Sequence, residues 1–363
     1  MTLYLDANAT EPLRPEARAA AVAAMDLPGN PSSVHAAGRA ARRVLEEARA
    51  RVAARFGAEA RNVVFTSGGT EANAMAIAAL RQGRRVLLGA TEHPAVMRAG
   101  EGAELLPVLR DGRLDLEALD SSLSLGAASG EPALVCLMVA NNETGVIHPV
   151  AEAAAICRRH GALLHLDAVQ AAGRMPLDAL ALGAETLAIS GHKLGGPKGA
   201  GALILRPGLD LAPLVAGGGQ ERGRRGGTEA LPAIAGLGAA AKAAEPEAAA
   251  RLAALRDAIE AGLGLPVAGA GAPRLPNTSC VALPGVSAET QVIALDLAGV
   301  QVSAGSACSS GKVARSPVLE AMGLGELAGA SIRVSLPWNA AADTAARFLD
   351  AHAAMRARLL RQG

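Results

Sequence analysis

Short apolar runs that end in polar clusters, alternating with helix-patterned stretches, constrain this chain more than any other feature. The runs are Val63 to Thr66, Arg85 to Leu88, Leu134 to Ala140, Leu163 to Asp167, Thr186 to Ser190 and Gly201 to Leu205. Helical patterns cover Ser32 to Phe56, closed by Gly57, Glu71 to Leu80, and Pro149 to His160, stopped by Gly161. Buried strands that alternate with helices build an α/β fold, a mainly parallel sheet covered on both faces. Ligands of such sheets bind where loops leave the carboxyl ends of the strands. Those ends carry Thr66 to Thr70, Asn141 to Thr144, Asp167 to Gln170, and Ser190 to Lys193.

The alanine-rich stretch Leu237 to Leu255 is broken by Pro246 and reads as helix, break, helix. Beyond it lie a strand pattern at Thr278 to Leu283, a helix near Ala288 to Ala298, a strand at Ser331 to Leu336 and a last helix ending near Leu360. This is a smaller α+β unit. The expected division is a large domain over 14–250 and a small one made of 1–13 and 251–363.

The length of 363 residues leaves room for two domains. Half the chain is hydrophobic but only 1% is aromatic, so the core must be aliphatic and alanine-rich. A net charge of +1 argues against nucleic-acid or membrane-surface partners. No apolar run approaches the ~18 residues of a membrane span, and residues 1–6 lack a secretory pattern. The expectation is a soluble cytoplasmic protein. Four cysteines without CxxC spacing imply neither a metal site nor a disulfide framework. Cys136, Cys157 and Cys280 read as small core hydrophobes, whereas Cys308 lies in a polar, glycine-bearing loop where a thiol can reach a substrate.

Lys193 sits among small residues in Ser190-Gly191-His192-Lys193-Leu194-Gly195-Gly196, and Asp167 closes an apolar strand. A carboxylate there needs a cationic partner. Pyridoxal phosphate (PLP) asks for both residues, a Schiff-base lysine and a carboxylate facing its ring nitrogen. Thr66-Ser67-Gly68-Gly69-Thr70-Glu71 opens a helix, and the Gly69 and Thr70 amides there suit one phosphate. Ser190 and His192 would add donors, Gln170 would reach the ring's phenolic oxygen, and His93 would stack on the ring. Arg333, in an apolar strand, is placed either for an internal salt bridge or for an amino acid's carboxylate, with Asn8 and Asn142 as further donors. The glycine-rich basic segment Gly217 to Thr228 is either a flexible surface loop or a rigid one carrying Thr228 to a phosphate.

These motifs, with Asn30 to His35, Thr91-Glu92-His93, Asn141 to Gly145 and Ser303 to Ser309, resemble the cysteine desulfurases of the NifS/IscS type. These belong to the class V aminotransferase group of PLP enzymes. The resemblance implies fold type I with a seven-stranded sheet. It implies conversion of L-cysteine to L-alanine, with the sulfur held as a persulfide on Cys308. Lys193 would carry PLP and move the Cα proton, and His93 would shuttle thiol protons. Asn142 would join the cofactor contacts. A homodimer in which Thr228 reaches the partner's phosphate is implied too, as is delivery of sulfur to an iron–sulfur scaffold or a thiolation relay. Selenocysteine lyases and class V transaminases share most of these features. Glu11 stands where the family commonly has threonine and Gln220 where some members have histidine, both expected to lie clear of the chemistry. Lys312 to Ser316 is more basic than the family pattern, which bears on the acceptor.

Overall fold

A computed structural model describes residues 2–244, 248–305 and 315–359. Seven strands form one sheet in the order Val63–Thr66, Gly201–Leu205, Thr186–Ser190, Leu163–Asp167, Ala133–Met138, Arg85–Gly89 and Glu104–Leu106. Gly201–Leu205 runs antiparallel to both of its neighbours, and the other pairings are parallel. Successive residues face opposite sides of a strand. Thus Val135, Leu137, Leu164 and Leu166 point into one core, under the helices Ala36–Arg55, Val150–Arg159 and Leu231–Ala243. Leu134, Cys136, Ala188 and Leu203 point into a second core, under Gly69–Leu80 and Pro94–Ala99. Both faces are covered, which is why the strands read as continuous apolar runs.

The scarcity of aromatics shows in how closely the helices approach. Pro15–Met25, Ala36–Arg55 and Leu231–Ala243 meet through alanine and glycine faces. A Cβ added to Gly238 would lie 2.6 Å from Ala48 Cα.

A third core gathers Leu3 and Leu5 with Ile259, Val281, Ile332, Val334 and Phe348. It lies against the antiparallel sheet Ser303–Ala304, Ser331–Ser335, Thr278–Ala282. The N-terminal strand Leu3–Tyr4 pairs with Val300–Gln301, and Asp6 bridges to Ser335. Helices Ala248–Leu263, Ala288–Leu297 and Thr344–Leu359 complete this region.

Several element ends differ from the sequence expectations for local reasons. The helix expected from Ser32 begins at Ala36, because Asn30 first accepts the Ser32 and Ser33 amides in a turn. The strand expected to reach Ala140 ends at Met138, and Ala140 instead bridges back to Ile147. Helices Pro15–Met25 and Leu116–Ala128 were not expected, although Asp115 caps the latter through the Glu117 and Ala118 amides. Cys136, Cys157 and Cys280 are buried, and burial pushes the Cys157 and Cys280 thiols up to about 12. Among the described residues no three His, Cys, Asp or Glu could hold a metal ion, and no helix is long and apolar enough to cross a membrane.

Candidate active site

A cleft of about 250 Å³ lies at the carboxyl ends of the parallel strands. Gly69, Thr70, His93, Asn142, Asp167, Gln170, Ser190, His192 and Lys193, drawn from five separate loops, line it together with Asn73, Met138 and Val169. Asn8, Arg333 and Thr228 are not among its lining residues.

The fully buried strand Thr186–Ser190 delivers Lys193 through a short turn in which Leu194 N–H and Gly196 N–H both donate to Gly191 O. Lys193 Nζ donates to the carbonyls of Asn8 and Ala9, 3.0 Å for the second. Burial first, then the guanidinium groups of Arg174 and Arg333, bring this amine down to about 7. A lysine so placed is in large part neutral near neutral pH and can act there as nucleophile and base.

Asp167 ends its strand with Oδ1 accepting Val169 N–H at 2.9 Å and Oδ2 accepting Asn73 Nδ2 at 2.7 Å. Burial raises its pKa, and those two donors, then His93 and Lys193, oppose the rise. Among the described residues its hydrogen-bond partners are an amide and a peptide N–H, with no guanidinium. A cationic ring nitrogen fits that opening.

At the other end of the cleft, Gly69–Leu80 begins beside Ser190 and His192. Its first-turn N–H groups and positive dipole end suit a phosphate. The approach is tight, since a Cβ on Gly69 would come 2.6 Å from Val169 Cγ2. His192 Nδ1 lies 3.1 Å from Thr10 Oγ1, and burial lowers its pKa to about 4. His93 caps Pro94–Ala99 through Nδ1, which accepts Ala95 N–H. Burial also lowers its pKa, so the ring is neutral at pH 7.

Gln170 Nε2 donates to Asn8 O, and its Oε1 accepts from Arg174. Arg333 donates to Asp6 Oδ1 at 2.6 Å and to Asn142 O at 3.1 Å, the internal salt bridge of the two sequence readings. Its Nε is buried without a partner among the described residues. Asn8 Nδ2 donates to Asn142 O and Thr278 Oγ1. Thr228 is exposed, next to a loop held from beneath. Its anchor is Glu221, whose buried carboxylate accepts from Arg49 at 2.6 and 2.9 Å and from Phe65 N–H. Cys308 lies outside the described residues, as do Lys312 to Ala314.

Glu11 does not line the cleft but stands one side chain behind it. Its carboxylate accepts from Arg174, the same side chain that holds Gln170 and lowers Lys193. Arg174 and Asn73 received no role from sequence. The only signal for Arg174 was a cation among small residues, Ala171-Ala172-Gly173.

The class-V aminotransferase family model matches residues 3–348. The chain belongs to this family. Its members use PLP, and the lysine, the cation-free carboxylate and the helix N-terminus all fit that group. A cysteine desulfurase of Cereibacter sphaeroides is 45% identical, over 94% of this chain and 92% of its own length. A cysteine desulfurase of Trichormus azollae is 41% identical, over 89% and 84%. Among solved structures, a NifS-like protein from Rickettsia africae superposes with a TM-score of 0.90 at 33% identity, covering 98% of this chain and 99% of that one. SspA in complex with cysteine superposes with a TM-score of 0.81 at 28% identity, covering 93% and 99%.

Proposed function

We propose that this chain is a PLP-dependent cysteine desulfurase that converts L-cysteine to L-alanine and leaves the sulfur on Cys308. The observation that carries the reading is the pairing of Lys193, an amine brought to about 7, with Asp167 in one cleft of a chain 45% identical to a cysteine desulfurase. When bound, PLP supplies an electron sink that weakens bonds at the substrate's Cα and, through it, the Cβ–S bond.

The residues divide the remaining work. Lys193 would hold the cofactor and, once displaced by substrate, accept and return the Cα proton. Asp167 would pair with the ring nitrogen and Gln170 with the ring's oxygen. Gly69, Thr70, Ser190 and His192 would hold the phosphate, with Thr228 contributed across a homodimer. Asn142 would contact the cofactor and, with Asn8 and Arg333, the substrate carboxylate. The unpartnered Arg333 Nε supports that assignment. Cys308 would attack the substrate sulfur. The Cβ–S bond breaks, an S–S bond forms, Cβ is reduced and gains a proton, and the sulfur is oxidised to the persulfide level. His93, neutral at pH 7, would take the thiol proton on Nδ1 by giving up its bond from Ala95 N–H.

The family resemblance further supports a cytoplasmic homodimer that passes sulfur to an acceptor protein, an iron–sulfur scaffold or a thiolation relay. We place the large domain at 14–250 and the small one at 1–13 with 251–363.

The test is purified protein with PLP, L-cysteine and dithiothreitol, assayed for alanine and sulfide in equal amounts. Lys193→Ala should lose the yellow absorption of bound PLP and all turnover. Cys308→Ser should keep the colour and form no persulfide. Amino transfer to pyruvate without sulfide, or sulfide at the wild-type rate from Cys308→Ser, would refute the proposal.

A further inference from the structure

Behind Asp167 lies a line of buried polar side chains that the chemistry above leaves unused. Thr186 Oγ1 is 2.8 Å from His165 Nδ1, and His165 Nε2 is 2.9 Å from Asn73 Oδ1. Asn73 Nδ2 then donates to Asp167 Oδ2 at 2.7 Å. His165, Asn73 and Thr186 are each no more than 1% exposed, so water does not compete for these bonds.

The directions follow from what each atom can do. Asp167 Oδ2 accepts, so the Asn73 amide must turn its NH₂ toward it and its Oδ1 toward His165. Oδ1 only accepts, so His165 must carry a hydrogen on Nε2. A neutral imidazole then has its lone pair on Nδ1, which takes the Thr186 hydroxyl proton. All three donors therefore point toward the carboxylate, and each bond polarises the next. Reversing any member would set two acceptors face to face in a site without water.

We propose that Thr186, His165 and Asn73 form a one-way hydrogen-bond relay that fixes the Asp167 carboxylate as an acceptor for the ring nitrogen of PLP. This rests on the PLP reading above. The three are positioning residues, acting through Asp167. Two of them, His165 and Thr186, share neighbouring strands at paired register, which keeps their side chains on one face of the sheet. The third reaches them from the helix Gly69–Leu80, the helix assigned to the phosphate. Both ends of the cofactor would thus be set by one rigid unit.

The experiment has two arms. Long-range proton–nitrogen NMR on the ligand-free wild-type chain should show His165 as the Nε2–H tautomer at neutral pH. An Nδ1–H tautomer overturns the relay. In the second arm, equilibrium binding of PLP is measured for wild type, Thr186→Val and Thr186→Ser, with melting temperatures to establish that each is folded. Thr186→Val keeps the shape but removes the first donor, and should weaken PLP binding about fivefold, the scale of one hydrogen bond between neutral groups. Thr186→Ser restores the hydroxyl and should return affinity to within about twofold of wild type. Wild-type affinity in a folded Thr186→Val chain, or a serine variant as weak as the valine one, overturns the proposal. A wild-type chain that binds no PLP overturns the function proposed above and the cofactor half of this inference, even where the tautomer is as expected.

Discussion

A lysine that must act as an amine has to be kept from behaving as an ordinary surface cation. Here the means are burial and two nearby guanidinium groups, Arg174 and Arg333. Between about 7 and the ordinary value of 10.5 the unfolded chain holds a proton on this lysine that the folded chain has released. The ligand-free fold therefore gains stability from this group as pH rises through that window. The same shift sets how PLP is captured. The capture rate of the ligand-free chain should climb as pH rises toward about 7 and then level off, as followed by stopped-flow absorbance. A rate still climbing with a slope of one near pH 10 would show an unshifted lysine. Lys193 and Asp167 were legible in the sequence because each breaks a local rule, a cation among glycines and an acid at the end of an apolar strand. Arg174 and Asn73 were not, because a polar residue in a small-residue turn or on a helix looks solvated until the fold buries it. Arg333 reads in sequence as either a salt-bridge partner or a ligand for a carboxylate. Only the distance to Asp6, 327 residues away in sequence, shows that its salt bridge forms.

At the scale of elements, the site depends on backbones that touch. A Cβ added to Gly201 would sit 2.7 Å from both Gly68 Cα and Gly68 C, so Gly201–Leu205 lies directly against the turn that opens the phosphate-side helix. Gly201→Ala should move that turn. We expect a PLP affinity weakened by at least tenfold, with destabilisation of ~1–3 kcal/mol, read by titration and by denaturant midpoint. An unchanged affinity would show that the turn does not hold the phosphate. The glycine-rich segment is an instructive contrast. Its sequence admitted a floppy loop or a rigid one. Glu221 and Arg222 adopt left-handed conformations (φ 48° and 61°), and the Glu221 carboxylate is sunk against Arg49 and Phe65 N–H. The loop is pinned by one buried acid, which no composition rule separates from its exposed neighbours. Strand positions were legible because burial on both sheet faces leaves an unbroken apolar signature. The helices Pro15–Met25 and Leu116–Ala128 were missed because alanine and serine there blur the 3.6-residue stripe.

Across the whole molecule, the first ten residues stitch the parts together. Leu3 and Leu5 fill the third core, Asp6 pairs with Arg333, and Asn8 and Ala9 offer their carbonyls to Lys193 on the large sheet's side. Tyr4 closes the segment on itself by donating to Thr10 O at 2.7 Å. The sequence reading grouped 1–13 with 251–363, but the individual bonds were not visible in so short a stretch, since Lys193 lies 185 residues beyond Asn8 and Arg333 lies 327 beyond Asp6. An amine that becomes bonded to a cofactor can no longer satisfy both of those carbonyls. The opening segment is therefore a natural reporter of loading: limited proteolysis near Thr10 should run at different rates on empty and charged enzyme, and equal rates would mean the tether is indifferent to what the lysine carries.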